Sequence, residues 1–108
     1  MKISVVTITY NSALTLRDTI ESVLSQSYND IEYLIIDGGS TDNTLEIIKS
    51  FSDKRIKWIS EPDKGIYDAM SKGKRMATGE AVGVLNSDDF YADTHVLERV
   101  VSAFADKS

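Results

Sequence analysis

An α/β fold with a mainly parallel sheet is predicted by three features of this 108-residue sequence. Four short segments rich in β-branched residues alternate with four segments whose apolar residues recur at helical spacing. The strand segments are almost continuously apolar, as strands covered on both faces are. Turn-forming residues separate the segments. Such alternation is typical of βαβ units joined by right-handed crossovers.

The first strand is predicted over residues 3–9, where ISVVTIT is β-branched and apolar. Asn11 or Ser12 can cap the helix that follows over 13–27, because both side chains accept hydrogen bonds from free helical N–H groups. The apolar positions of this helix fall on one face. They are Leu16, Ile20, Val23 and Leu24.

The later elements repeat the pattern. Their predicted ranges are 31–37 (strand), 43–51 (helix), 55–60 (strand), 65–79 (helix), 80–86 (strand) and 92–107 (helix). Pro62 ends the third strand because proline lacks the N–H that a sheet requires, and Gly79 is a plausible C-terminal stop for the third helix. The predicted N-caps are Asp42 or Thr41 for the second helix and Asp93 or Thr94 for the fourth.

Composition indicates one globular domain, with 42% apolar and 27% charged residues. Seventeen acids against twelve bases give a net charge of −5, which argues against nucleic-acid binding because that needs a cationic face. The chain has no cysteine, so disulfides and thiolate metal sites are excluded and a reducing, cytoplasmic setting is expected. The first ten residues are predicted to form a strand rather than a signal peptide. No run approaches the ~18 apolar residues of a membrane span.

Polar residues collect where each predicted strand ends, at the sheet edge where ligands of α/β proteins bind. They are Thr9, Tyr10 and Asn11, then 37–40, 61–63 and 86–89. Asp88 and Asp89 are adjacent carboxylates, which repel each other and favour a nearby positive charge. The chain lacks both the G-x-G-x-x-G fingerprint and the P-loop spacing. A divalent cation shared with phosphate oxygens, Mn²⁺ or Mg²⁺, would supply the missing charge.

Four segments together resemble the nucleotide-binding half of a family 2 glycosyltransferase with the Rossmann-like GT-A fold. They are SVVTITYNSALTLRDTIESVLSQSY, IIDGGSTDNT, DKGIYDAMSKG and ATGEAVGVLNSDDF. The resemblance implies transfer of a sugar, with inversion, from a nucleotide-diphosphate donor that is usually UDP-linked. The acceptor would be a glycan or a lipid-linked glycan. A full-length enzyme would work at the inner face of the membrane, in surface polysaccharide biosynthesis.

The same resemblance assigns roles to individual residues. Thr9 and Asp37 would contact the base, Asp88 would face the ribose, and Asp89 would bind the metal. The predicted nucleotide-binding residues are Thr9, Tyr10, Asn11, Asp37, Lys72 and Asp88. Two structural alternatives that need no ligand stay open. They are an Asx-turn for Asp37 and an ion pair of Lys72 with Asp68 one helical turn away. Asp63 is predicted to lie in a loop near this site, from which it could approach the sugar.

The sequence departs from the family pattern at three places. Met70 and Ser71 stand where many relatives have Arg-Asn, and Ser87 replaces the first acid of the fuller metal motif. The catalytic base is expected beyond Ser108, so residues 1–108 are expected to bind the donor, to be inactive alone and to self-associate through a truncated face. The alternatives are a nucleotidyltransferase, although TYNSALTL lacks its glycine-rich basic loop, and a non-catalytic nucleotide-binding module.

Overall fold

The computed structural model describes residues 1–62 and 65–105, and eight elements alternate along them as the sequence predicts. They are β1 (Ile3–Thr9), α1 (Leu16–Leu24), β2 (Ile31–Asp37), α2 (Thr44–Lys49), β3 (Ile56–Ser60), α3 (Ile66–Met76), β4 (Ala81–Val84) and α4 (Val96–Ala105). The bounds of β1 and β2 agree with the prediction to the residue. Within the described part of the chain, no helix is long and apolar enough to cross a membrane.

The four strands form one parallel sheet in the order β3-β2-β1-β4. Two crossovers step from β1 through β2 to β3, and the chain then returns to place β4 on the other side of β1. The carboxyl ends of β1 and β4 therefore flank the point where strand order reverses, which is the usual ligand crevice of such sheets. The predicted parallel α/β fold is confirmed.

The sheet is covered on both faces, which explains the continuous apolarity of β1 and β2. One core packs the sheet against α1, α2 and α4, and its helical members include Leu16, Ile20, Val23, Ile48 and Leu97. The other core lies under α3 and consists of Val6, Leu34, Ile36 and Ala69. Burying each large aliphatic side chain contributes about 1.5–3 kcal/mol. The two cores thus hold the central strands rigidly beneath the loops.

Several predicted helix ends are wrong. The fourth helix begins at Val96 rather than residue 92, so neither Asp93 nor Thr94 is its N-cap. The first helix ends at Leu24 rather than residue 27. The first helix begins at Leu16 rather than residue 13, because the Ser12 carbonyl accepts the N–H groups of Thr15 and Leu16 in a preceding turn. The third helix ends at Met76, and Gly79 is not its C-terminal stop. A Cβ on Gly79 would lie 2.7 Å from the Ser4 backbone nitrogen. Gly79 is needed for this close approach to β1.

A buried acid lies at the opposite edge of the sheet from the loops described below. Glu32 accepts hydrogen bonds from the Ser4 hydroxyl at 2.6 Å and the Thr78 N–H at 2.5 Å. The ammonium groups of Lys57 and Lys2 lie 3.3 and 3.7 Å from its carboxylate. Burial raises the pKa of Glu32, but the hydrogen bonds from Ser4, Thr78 and Lys57 outweigh it and hold the pKa at about 2.

Candidate donor-binding site

The loops after β1 and β2 are joined through Asn11. Its backbone N–H donates to the Ser40 hydroxyl at 2.9 Å, and its side-chain oxygen accepts the Thr41 N–H at 2.8 Å. Asn11 adopts a φ of 47°, a left-handed conformation that asparagine tolerates better than most residues. Asn11 is therefore a loop-ordering residue in this structure and does not cap α1. Its contact with a nucleotide stays a prediction.

Asp42 adds a second connection between these loops. It accepts the hydroxyl and N–H of Thr44, at 2.5 and 2.9 Å, and the N–H of Ala13 at 3.3 Å. The hydrogen bond from the Thr44 hydroxyl is the largest cause of the lowered pKa of Asp42. The N-cap position of α2 is held by Asn43 rather than by the predicted Asp42 or Thr41. Asp42 instead accepts the first N–H of the helix from one residue further back and also holds the β1 loop.

Asp37, at the end of β2, is fully buried and its carboxylate is saturated with hydrogen bonds. One oxygen accepts the N–H groups of Gly39 and Ser40 and the Ser60 hydroxyl, at 3.1, 2.9 and 2.7 Å. The other accepts the Ser40 hydroxyl at 2.5 Å. The Asx-turn alternative is therefore observed, since Asp37 orders the loop after it. The predicted contact of Asp37 with the base remains untested.

Thr9 lies opposite Asp37 in the β1–β2 register and is 1% exposed. Among the described residues its hydroxyl has no hydrogen-bond partner, which is rare for a buried polar group. The Thr9 carbonyl accepts the N–H of Gly38 at 2.9 Å. Such a hydroxyl, beside the ligand crevice, is expected where a bound ligand supplies the missing hydrogen-bond partner.

Asp88 and Asp89 lie in the loop after β4, and both are exposed. Within residues 1–62 and 65–105 neither carboxylate makes a hydrogen bond or an ion pair, and no three acidic or histidine side chains form a cluster. Two unengaged carboxylates fit a Mn²⁺ or Mg²⁺ ion that takes its remaining ligands from phosphate and water. They do not fit a cation held by protein side chains alone.

The backbone of this acidic loop is held firmly. The Ser87 hydroxyl bonds with that of Ser12 at 2.8 Å, which connects the loops after β1 and β4 across the switch point. The Asp89 N–H donates to the Asn86 carbonyl at 3.0 Å, forming a turn. Thr15, the N-cap residue of α1, and Thr19 within the helix donate to carbonyl oxygens of the same loop. Sequence reasoning missed these contacts, although Thr15, Thr19 and Ser22 fall at helical spacing on one face.

Lys72, on α3, is only 9% exposed. Its ammonium lies 3.0 Å from Glu61, directly after β3, and 3.6 Å from Asp68. The ion pair with Asp68 that the sequence offered as an alternative is thus present, but Glu61 is the nearer partner. Because the Glu61 N–H donates to the Asp37 carbonyl at 3.0 Å, Lys72 lies at the loop edge of the sheet. Its nucleotide contact stays a prediction.

Tyr10 and Asp63 are the two remaining candidates. Tyr10 is 59% exposed at the end of β1, where it is accessible to a ligand. Asp63 lies outside the described residues. The structure therefore gathers Thr9, Asp37 and the acidic loop at one edge of the sheet, through the ends of three adjacent strands.

The sequence profile of glycosyl transferase family 2 matches residues 4–108. The chain belongs to this family. It is 41% identical over 107 residues to an uncharacterized glycosyltransferase of Nostoc, covering 96% of this chain and 33% of the relative. It is 35% identical over 102 residues to a PGL/p-HBAD biosynthesis glycosyltransferase of Mycobacterium bovis, covering 92% of this chain and 40% of the relative. The chain thus spans about a third to two fifths of the length of these relatives.

Solved structures agree with the GT-A fold. Residues 1–349 of Staphylococcus aureus TarS, in complex with UDP-GlcNAc, superpose with a TM-score of 0.84 at 26% identity, over 99% of this chain and 32% of that fragment. A Pyrobaculum calidifontis mannosyltransferase, solved with GDP-Man and Mn²⁺, superposes with a TM-score of 0.87 at 24% identity, over 95% and 32% of the two chains. The chain thus shares its fold with structures that were solved with bound nucleotide sugars.

Proposed function

We propose that residues 1–108 form the donor-binding part of an inverting glycosyltransferase that uses a UDP-linked sugar and a divalent cation. The carrying observation is the exposed Asp88–Asp89 pair, whose backbone is fixed at the switch point of the sheet. The complex of TarS with UDP-GlcNAc supports a UDP-linked donor. The buried, partnerless hydroxyl of Thr9 supports a ligand at the same edge.

Each residue has a proposed role in this site. Asp89 would hold the cation and Asp88 would accept hydrogen bonds from the ribose, because an ionised carboxylate only accepts. Thr9 and Asp37 would contact the base, and Asp37 would also hold the neighbouring loop in position. The remaining nucleotide-binding candidates are Tyr10, Asn11 and Lys72.

The chemistry follows from charge. Cleavage of the sugar–phosphate bond leaves a diphosphate with growing negative charge, and a cation held there would stabilise that leaving group as a Lewis acid. Asp89 would hold the cation that supplies this positive charge, and Asp88 would orient the ribose. Inversion requires a base on the opposite face of the sugar to deprotonate the acceptor hydroxyl.

That base and the acceptor site are proposed to lie in the part of the fold that the relatives have in addition to the matched region. The acceptor would be a glycan or a lipid-linked glycan, and residues 1–108 alone would bind the donor without turning it over. A cytoplasmic location, at the inner face of the membrane for a lipid-linked acceptor, is proposed for the whole enzyme. Cell fractionation of a tagged full-length protein would test the location.

Self-association is proposed through β4, which ends the sheet. Val82 and Val84 are 45% and 46% exposed, and the free edge of a strand can pair with another chain.

Calorimetric titration of UDP, with and without Mn²⁺, tests the donor site. Wild-type protein should bind UDP more tightly with Mn²⁺ than without it. Asp89→Asn should lower the UDP affinity measured with Mn²⁺ about tenfold or more. Asp18→Asn, which removes an exposed acid on α1, is the matched control and should retain it. Equal binding by wild type and Asp89→Asn would refute the metal role, and no UDP binding at all would refute the donor site in this chain.

A further inference from the structure

One polar face of α1 holds the backbone of the acidic loop. The Thr15 hydroxyl donates to the Ser87 carbonyl at 2.8 Å. The Thr19 hydroxyl lies 2.5 Å from the Asp89 carbonyl and 3.0 Å from that of Ser87. One turn further on, the Ser22 hydroxyl accepts the N–H of Tyr91 at 3.2 Å. These three residues recur at i, i+4 and i+7, so one helical face follows the loop over its length.

Thr19 has the most direct connection to the acids. Its side chain is 1% exposed, whereas Asp88 and Asp89 are exposed. A hydroxyl has one proton to donate, and the shortest of its contacts is to the Asp89 carbonyl. That carbonyl belongs to the same residue as the carboxylate with the proposed metal role. Fixing the carbonyl restricts the backbone from which the carboxylate projects.

Thr15 also contacts the acidic loop rather than its own helix. It occupies the N-cap position of α1, yet its side chain makes no capping hydrogen bond. A threonine cap is worth about 1 kcal/mol to a helix, and here the hydroxyl is directed to the Ser87 carbonyl instead. The helix thus forgoes a local stabilising bond while its first residues hold the loop.

We propose that Thr19 is a positioning residue for the acid pair, acting through the Asp89 carbonyl. This inference rests on the proposed metal role of Asp89. Without the Thr19 hydroxyl the loop gains conformational freedom, and the carboxylate must be ordered when the cation binds. Groups that orient metal ligands in this way change metal affinity about 10–100-fold when they are removed.

Three variants separate positioning from general stability. Thr19→Val keeps the shape and removes the hydroxyl, and Thr19→Ser keeps the hydroxyl. Thr7→Val is the matched control, because the Thr7 hydroxyl is also buried but bonds with Tyr33 at 2.7 Å and does not contact the loop. Unfolding by urea, followed by circular dichroism, establishes the conditions in which every variant is folded.

The test measures Mn²⁺ affinity by electron paramagnetic resonance in the presence of UDP, together with UDP affinity in the absence of metal. We expect Thr19→Val to weaken Mn²⁺ binding about tenfold and to leave metal-free UDP binding unchanged. Thr19→Ser should restore Mn²⁺ affinity. Thr7→Val should lower the stability of the fold and leave Mn²⁺ affinity unchanged. The spectrum of the bound Mn²⁺ should broaden in Thr19→Val, as its ligands become less ordered.

The outcomes distinguish this inference from the proposed function. If wild type binds Mn²⁺ with UDP and Asp89→Asn does not, while Thr19→Val matches Thr7→Val, the positioning role is overturned and the metal site stands. If Thr19→Ser fails to restore affinity, the hydroxyl is not the responsible group and the inference fails. If wild type and Asp89→Asn bind Mn²⁺ equally, the proposed metal role itself fails, and the positioning role fails with it.

Discussion

The carboxylate of Asp37 accepts a hydrogen bond from the Ser60 hydroxyl at 2.7 Å, which joins the ends of the neighbouring strands β2 and β3. Asp37 and Ser60 are also directly opposite each other in the pairing of β2 with β3. The same carboxylate holds Gly39 and Ser40 in the loop beyond β2. One buried acid therefore orders the loop after β2 and also contacts the last residue of β3.

This arrangement predicts that Asp37→Asn unfolds more easily. The amide replaces one accepting oxygen with a donor, so buried hydroxyl or N–H groups of the loop lose their partner, at a cost of about 1–3 kcal/mol. Urea unfolding at neutral pH measures the change. Asp30→Asn is the control, because Asp30 is exposed and lies 3.9 Å from the terminal ammonium, so its loss should cost less than about 0.5 kcal/mol. Equal stability of the two variants would contradict the loop-ordering role.

Thr9→Val should separate a ligand contact from a structural one. The free protein should gain about 1 kcal/mol in unfolding free energy, because a buried hydroxyl without a partner is replaced by a methyl group. UDP affinity should fall about fivefold, which corresponds to one lost hydrogen bond of about 1 kcal/mol. Urea unfolding and calorimetry on the same samples measure both quantities. A loss of stability with unchanged UDP affinity would place the hydroxyl in the fold rather than in the site.

Local pattern was sufficient for some parts of this fold. The ranges of β1 and β2 were predictable because strands buried on both faces leave a continuous β-branched run. The start of α1 was not, because the Ser12 carbonyl accepts the N–H groups that close a turn before the helix. The Ser12 hydroxyl bonds with Ser87, 75 residues away. The role of Gly79 depends on contact with β1. Contacts between distant residues have no signature in local sequence.

The candidate site was also predictable only in part from the sequence. Position at strand ends indicated that Thr9, Asp37 and the Asp88–Asp89 loop would lie at the same edge of the sheet, and the order of the parallel strands agrees with this. Their roles in binding stay predictions. The saturation of Asp37 depends on Ser60, which the sequence alone did not relate to it. The burial of Lys72 beside Glu61 likewise depends on how α3 packs on the sheet.

Glu32 predicts an acid-sensitive contribution to stability. Its pKa is about 2 in the folded protein against an ordinary value of 4.5. A lowered folded pKa gives stability that is present above about pH 4.5 and is lost as pH falls toward 2. Glu32→Gln should therefore be less stable than wild type by about 1–3 kcal/mol at pH 7, with the difference shrinking below pH 4.5.

Urea unfolding at several pH values checks this prediction. Glu21→Gln removes an exposed acid from α1 and controls for the change in net charge. A constant difference between wild type and Glu32→Gln from pH 7 to pH 3 would show that the ionised carboxylate is not the source of the stabilisation.

Gly79→Ala should destabilise the fold, because the new Cβ would lie 2.7 Å from the Ser4 nitrogen and 2.8 Å from the Lys2 carbonyl. Both are backbone atoms of the sheet region and cannot rotate away, so the overpacking cost is about 1–3 kcal/mol. Gly83→Ala is the matched control, since a Cβ there meets nothing within 4 Å. It should change stability by less than about 0.5 kcal/mol. Similar melting temperatures for the two variants would be the contrary result.

The edge of β4, the outer strand beside β1 in the described sheet, predicts that this chain self-associates at high concentration. Residues 81–84 carry no charge, whereas β3, at the other end of the sheet, presents Lys57, a residue type that discourages edge pairing. Sedimentation velocity over a range of concentrations should show a dimer for wild type and a monomer for the Val82→Lys, Val84→Lys double variant. Leu14→Lys alters a fully exposed apolar residue before α1 and should leave the dimer intact. A monomeric wild type, or a dimer unaffected by both lysines, would show that β4 is not the contact surface.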